Sequence, residues 1–176
     1  IRGLARASES QHIVAAIVEN KPGVLFKVSG MFRRRNFNIE SITVGPIDDG
    51  RLARMTIVVR GDEGIVEQLI KQLGKIVEVI RVSRLDPSES VFRELALVKV
   101  HASESRARSD IVNFARIFRG RIVDVSSDSM TIEITGDPDK IEAFLSLVRS
   151  YGIKEVARTG ITALSRGARA IRPEAG

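Results

Sequence analysis

The chain has no cysteine, no tryptophan, one tyrosine and only two histidines among its 176 residues. Without thiols there is no disulfide framework, no thiolate nucleophile and no thiolate metal site. A cysteine-free chain suits a reducing compartment, and the cytoplasm is the expected location. Aromatic residues make up 5% of the chain, too few for the stacking platforms that hold single-stranded nucleic acid. No apolar run approaches the roughly 20 residues of a membrane-spanning helix. Residues 1–11 (IRGLARASESQ) lack the apolar centre of a secretion signal, so no membrane is expected as a partner. The chain opens on Ile1 rather than Met, and its native start is expected upstream. His12 and His101 fall at the start and end of strand-like runs, where a structural or solvent-facing imidazole is expected. No HExxH, paired-Cys or EF-hand spacing occurs, and GxxxxG spacings such as Gly45 to Gly50 lack the Lys-Ser/Thr sequel of a phosphate loop. Neither a catalytic residue nor a metal is expected.

What is present is enough apolar material, 43% of residues, to build one ordinary domain or two small ones. The net charge of +6 raises nucleic acid as a partner, but the excess is uneven. Residues 1–84 hold 14 Lys/Arg against 9 Asp/Glu, whereas residues 85–176 hold 14 against 13. Arg33-Arg34-Arg35 supplies much of the bias where a helix should end, a place that favours cations.

Periodicity divides the chain into two copies of one element order. In the first unit, 12–83, a strand over 12–19 leads into a helix over 23–35 with Leu25, Val28 and Phe32 at helical spacing. Strands follow over 38–44 and 52–60 around an Asp48-Asp49-Gly50 turn, then a helix after Asp62 that stops at Gly74, and a strand over 76–82. Residues 84–92 (RLDPSESVF) read as a linker, and residues 1–11 as an extension. The second unit, 93–164, repeats the order: strand 94–101, a helix carrying Ile111, Phe114, Ala115 and Phe118, strands 121–125 and 130–135, a helix capped by Asp137-Pro138, and strand 153–158. Residues 165–176 read as a frayed, flexible tail.

The fold class is therefore α+β, two tandem ferredoxin-like βαββαβ units, each a four-stranded antiparallel sheet with both helices on one face. Strand 12–19 is apolar on both faces, which predicts an uncovered apolar sheet face and an obligate oligomer. The third strand, Leu52 to Val59, has neither aromatic nor glycine, so the aromatic motif of RNA-recognition modules is absent.

The run Glu19-Asn20-Lys21-Pro22-Gly23-Val24-Leu25-Phe26 joins a buried strand to a helix. Asn20 suits an N-cap, Pro22 the first turn, and Gly23 lets a ligand approach the backbone, so the free amides there favour a carboxylate. An ordinary helix start has the same composition, and both readings stay open on these residues alone.

The longer run ENKPGVLFKVSGMFRRRNFNIESITVGPIDDGRLARMTIVV resembles the small, regulatory subunit of acetolactate synthase (acetohydroxyacid synthase), whose N-terminal half is an ACT domain. Phe118 to Val125 and Ala157 through Gly167 resemble the same family, so the likeness spans both halves. It implies a non-catalytic chain without cofactors, paired as a homodimer through its ACT domains. Its partner would be the large catalytic subunit, which carries thiamine diphosphate, Mg and FAD. The effector would be a branched-chain amino acid, with valine expected, held where the strand-helix loop of one copy meets the second strand of the other. That assigns Asn20, Gly23, Val24 and Leu25 to one side of the site and Asn38 and Ile39 to the other. Gly23 and Val24 amides would take the carboxylate, Asn20 and Asn38 the ammonium or carboxylate, and Leu25 with Ile39 the side chain. Arg33, Arg34 and Arg35 are the expected contact with the large subunit. Phe26 stands where a small polar residue is common in the family, and its ring is expected to narrow or reshape the pocket. The rival readings are an ACT protein acting on another partner, a transcription regulator, and a basic RNA-binding ferredoxin-like protein. Neither half leaves room for a DNA-reading helix pair.

Overall fold

The computed structural model of the chain describes residues 10–173, so most of the expected 1–11 extension and the last three residues lie outside it. The chain forms two compact units, one running to Val91 and taking back the residues from Thr162, the other covering Phe92–Ile161.

The first unit runs β1 (Ser10–Glu19), α1 (Val24–Arg35), β2 (Ile39–Ile47), β3 (Leu52–Gly61), α2 (Glu63–Leu73) and β4 (Val79–Leu85). Its antiparallel sheet has the order β2-β3-β1-β4, which leaves β2 and β4 as edges. The period of 3.6 sets what α1 buries: Val24, Val28, Met31 and Phe32 fall at i, i+4, i+7 and i+8 and close over Val14, Ala16, Met55, Ile57 and Val59. Full burial of each such side chain contributes about 1.5–3 kcal/mol. α2 adds Val66, Leu69 and Leu73, and its start is fixed by Asp62, whose carboxylate accepts from the Ile65 amide at 2.9 Å.

The second unit repeats the order with β5 (Ser90–His101), α3 (Ser105–Ile117), β6 (Arg121–Val125), β7 (Ser129–Gly136), α4 (Pro138–Val148) and β8 (Ile153–Arg158). Its strands lie β6-β7-β5-β8, and Val98, Ile132, Ile134, Ile111, Ile141 and Phe144 form its core. Asp137 caps α4 as expected, accepting from the Lys140 amide at 2.8 Å. The two βαββαβ units are those read from the sequence.

Four details differ. β4 begins at Val79, because Ile76 sits in a turn and accepts from the Val79 amide at 3.0 Å. The expected linker over 84–92 shrinks to one short turn, Pro87–Glu89, as β4 runs to Leu85 and β5 begins at Ser90. The expected tail carries structure: β9 (Thr162–Ser165) pairs with β5, and Arg166 donates to the Glu89 carbonyl at 2.8 Å. Finally, the sheet face of the first unit turned away from its helices is not open. Ala15 and Ile17 on it are 0% and 1% exposed, and Arg54 on the same face donates to the Ala163 carbonyl at 2.8 Å. The open apolar face expected from the sequence is thus not found.

Candidate functional site

The β1–α1 loop is a turn before it is a helix start. Lys21 to Val24 close through a Val24 amide that reaches the Lys21 carbonyl at 3.4 Å, with Pro22 second and Gly23 third at φ 85° and ψ −10°. Proline followed by a glycine of positive φ is the type II turn pattern. A Cβ on Gly23 would meet nothing within 4 Å, so glycine serves the backbone angle while the space beside it stays open. Gly23, not Asn20, is the cap residue of α1, and no side chain caps the helix. Asn20 has another task. Its Nδ2 donates to the Gly50 carbonyl at 2.8 Å and its amide to the Arg51 carbonyl at 3.0 Å, fastening this loop to the β2–β3 turn. That leaves the Asn20 Oδ1 as its remaining acceptor.

Among the described residues, the amides of Gly23, Leu25 and Phe26 meet no acceptor, which is what an anion at a helix start requires. Val24 contributes less than expected, since its side chain is buried in the core and its amide already bonds Lys21. Leu25 is 50% exposed and so is free to line a site. The charges around the loop are balanced: Lys21 pairs with Glu19 at 2.6 Å and Lys27 with Glu78. The hydrogen bond from Lys27 holds the Glu78 carboxyl below its ordinary range, and the bond to Glu19 raises Lys21.

Asn38 and Ile39 are not near this loop in the same chain. Val59 of β3 pairs with both His12 and Ile39, whereas Leu52 pairs with both Glu19 and Ile47. Asn38 thus precedes β2 at the His12 end of the sheet and Asn20 follows β1 at the other. Seven strand steps at about 3.3 Å separate the two ends by about 23 Å. The Asn38 side chain is exposed and without a partner among the described residues, while its carbonyl accepts from the Arg60 amide at 3.2 Å. Ile39 is half-buried against the core and presents only its remaining surface. The two groups of residues assigned to the site thus lie at opposite ends of one sheet, and one chain does not bring them together.

Arg33, Arg34 and Arg35 fill the last turn of α1, all exposed and without an acidic partner among the described residues. Arg33 and Arg34, but not Arg35, border a groove of about 650 Å³ with Phe26, Gly30, Ile76 and Val77. The Phe26 ring lines that groove, whereas Leu25 does not. Sequence reasoning missed Val77, placing it inside a strand; its position just after the Gly74 stop was the available signal. His12 is a buried structural residue, its Nε2 3.0 Å from the Gly61 carbonyl and its Nδ1 3.0 Å from Arg84 Nη2. Among the described residues no cluster of His, Asp and Glu could hold a metal ion, and no helix is long and apolar enough to cross a membrane.

Comparison with known families and structures matches both units. Residues 14–81 fit the model of the AHAS small subunit-like ACT domain, and residues 93–167 that of the small subunit of acetolactate synthase. A probable acetolactate synthase small subunit of Methanothermobacter thermautotrophicus is 58% identical over 90% of this chain and 94% of its own. The acetolactate synthase small subunit of Mycolicibacterium smegmatis is 46% identical over 91% and 94%. The crystal structure of the acetolactate synthase small subunit from Thermotoga maritima superposes with a TM-score of 0.85 at 45% identity, covering 91% of this chain and 99% of that one.

Proposed function

The chain belongs to the acetolactate synthase small-subunit family, the regulatory subunit in branched-chain amino acid synthesis, with catalysis in the large subunit; from that premise we propose how it regulates. It binds the large subunit, raises its activity, and confers feedback inhibition by a branched-chain amino acid, valine first, held between the ACT units of two copies. Thiamine diphosphate, Mg and FAD belong to the large subunit in this reading.

The carrying observation is the separation of two complementary groups of residues to opposite ends of one sheet in which β2 is an edge strand. An edge strand is a template for another strand, and exposed Val44 lies on this one. Antiparallel pairing of β2 with β2 of a second copy sets Ile39 of one against Ile47 of the other. Asn38 then comes beside the other copy's β1–α1 loop. An amino acid there places its carboxylate on the Gly23, Leu25 and Phe26 amides and its ammonium on the Oδ1 atoms of Asn20 and the second copy's Asn38. Its side chain lies on Leu25 and the outer surface of Ile39. A pocket bounded by two aliphatic side chains separates effectors by size, and one CH₂ is worth about 0.8 kcal/mol.

Inhibition requires the effector to bind one arrangement of the holoenzyme better than another. A coupling of about 1–3 kcal/mol, or roughly 5–150-fold, is enough. The test combines the chain with the large subunit and measures acetolactate formation with and without valine, leucine or isoleucine. Stimulation by the chain, inhibition by valine, and loss of inhibition alone in Asn38→Ala are expected. Absence of both stimulation and association contradicts the regulatory reading; equal loss of both effects in Asn38→Ala contradicts the site.

A further inference from the structure

We propose that the groove on the outer side of α1 is where the chain receives an acidic, apolar-anchored segment of the large subunit. This rests on the partnership above and adds the surface that mediates it. Gly30 forms part of the groove in the interior of a 12-residue helix, a position where glycine is the weakest helix former after proline. Nothing among the described residues calls for it. Its φ is not positive, and an added Cβ would meet only Arg34 Nη1, at 3.7 Å. A bare stretch of helix backbone with only the end of the Arg34 side chain near it admits close approach from outside.

The surroundings state what approaches. Phe26 is 80% exposed and Val77 91% exposed on the groove walls, an aromatic and an aliphatic side chain left in water. Buried aromatic anchors and arginines carry most interface energy, so this pairing of Phe26 with Arg33 and Arg34 has the composition of a binding centre. The third cation of the groove, Lys27, is already neutralised by Glu78, whereas Arg33 and Arg34 have no carboxylate among the described residues. They supply two guanidinium forks for carboxylates flanking an apolar anchor. A second copy of the chain fits less well, because its own Arg33 and Arg34 would meet like charge. α1 thus carries the effector's amides at its first turn and the partner's groove along its outer face.

The test measures association of the full chain with purified large subunit by titration calorimetry, alongside thermal unfolding of the free chain. Gly30→Leu fills the floor and improves helix propensity. It should weaken association at least tenfold while the melting temperature holds or rises, which separates docking from folding. Phe26→Ser with Val77→Ser should weaken it to a similar degree. Arg33→Glu with Arg34→Glu should do so most at low salt, where steering is strongest. Wild-type affinity in Gly30→Leu and in the Phe26/Val77 pair overturns the proposal. So does a loss of self-association in these variants with large-subunit binding unchanged, which assigns the groove to a second copy. If the unaltered chain does not bind the large subunit, the functional reading falls and takes this proposal with it.

Discussion

The two units share element order and strand order, yet they differ at the start of their first helices. In each, the second helix is capped by an aspartate, Asp62 or Asp137, and the first has no side-chain cap. In the first unit the uncapped start is a left-handed Gly23 followed by exposed Leu25 and Phe26. In the second it is Glu104 in extended backbone, followed by Ser105 and Arg106, beside a cleft of about 530 Å³ lined by polar groups such as His101, Asp110 and Tyr151. Glu104 puts a carboxyl at the positive end of the helix dipole, and Arg106 lines the same cleft. The same βαββαβ frame thus offers a start with exposed apolar side chains and unpartnered amides in one unit and a charged, polar start in the other.

The largest expected effect breaks the second unit while sparing the first. Phe144 is fully buried and meets Phe118 edge-on at 5.5 Å, so Phe144→Ala should cost about 3–5 kcal/mol in urea unfolding. Amide-exchange protection should fall in β5 and β7. Next comes Arg158→Ala, which removes the guanidinium that clasps Glu94 at 2.6 and 3.0 Å and leaves a carboxylate 5% exposed without that partner. Breaking such a pair costs about 2 kcal/mol here, below the fully buried figure because Arg158 is partly in solvent. Smaller again is Gly23→Ala, where the φ of 85° imposes about 1–2 kcal/mol on the alanine Cβ. In that variant valine inhibition should weaken while the second unit's unfolding is unchanged. The smallest effect is electrostatic. Glu78 has its carboxyl lowered from 4.5 by Lys27, so its stabilising contribution is complete above about 4.5 and disappears as pH falls through the lower folded value. Glu78→Gln should flatten the acid limb of a stability-against-pH curve without moving the neutral plateau by much.

Most of the frame was legible in the sequence. The helix starts after Asp62 and at Asp137-Pro138 and the stop at Gly74 each have a local physical meaning. The errors arose where local pattern and tertiary context diverge. Ile76, Val79 and Val82 are apolar at spacings that a strand and a turn both satisfy, so β4 was placed three residues early. Thr162 to Ser165 is too short to show a period, so β9 was read as tail. Ala15 and Ile17 look identical whether a sheet face is covered by the chain or by a partner. At the site, the glycine and the free amides were legible, because Pro-Gly after a buried strand constrains the backbone. The role of Asn20 was not, because a side chain good at capping is equally good at bonding Gly50, which is 30 residues away. The separation of Asn38 from the loop follows from register, which no local motif contains.

That separation is what most directly tests the account. Asn38→Ala damages one half-site and Gly23→Asp the other, since aspartate tolerates the left-handed angle and sets a carboxylate against the effector's own. Each variant alone, combined with the large subunit, should be stimulatory and insensitive to valine. Mixed and allowed to exchange, the two should regain valine inhibition, because each mixed dimer rebuilds one intact site from the Asn38→Ala copy's loop and the Gly23→Asp copy's Asn38. If the mixture stays insensitive although mixed dimers form, the effector is not held between two copies, and the account is wrong at its centre.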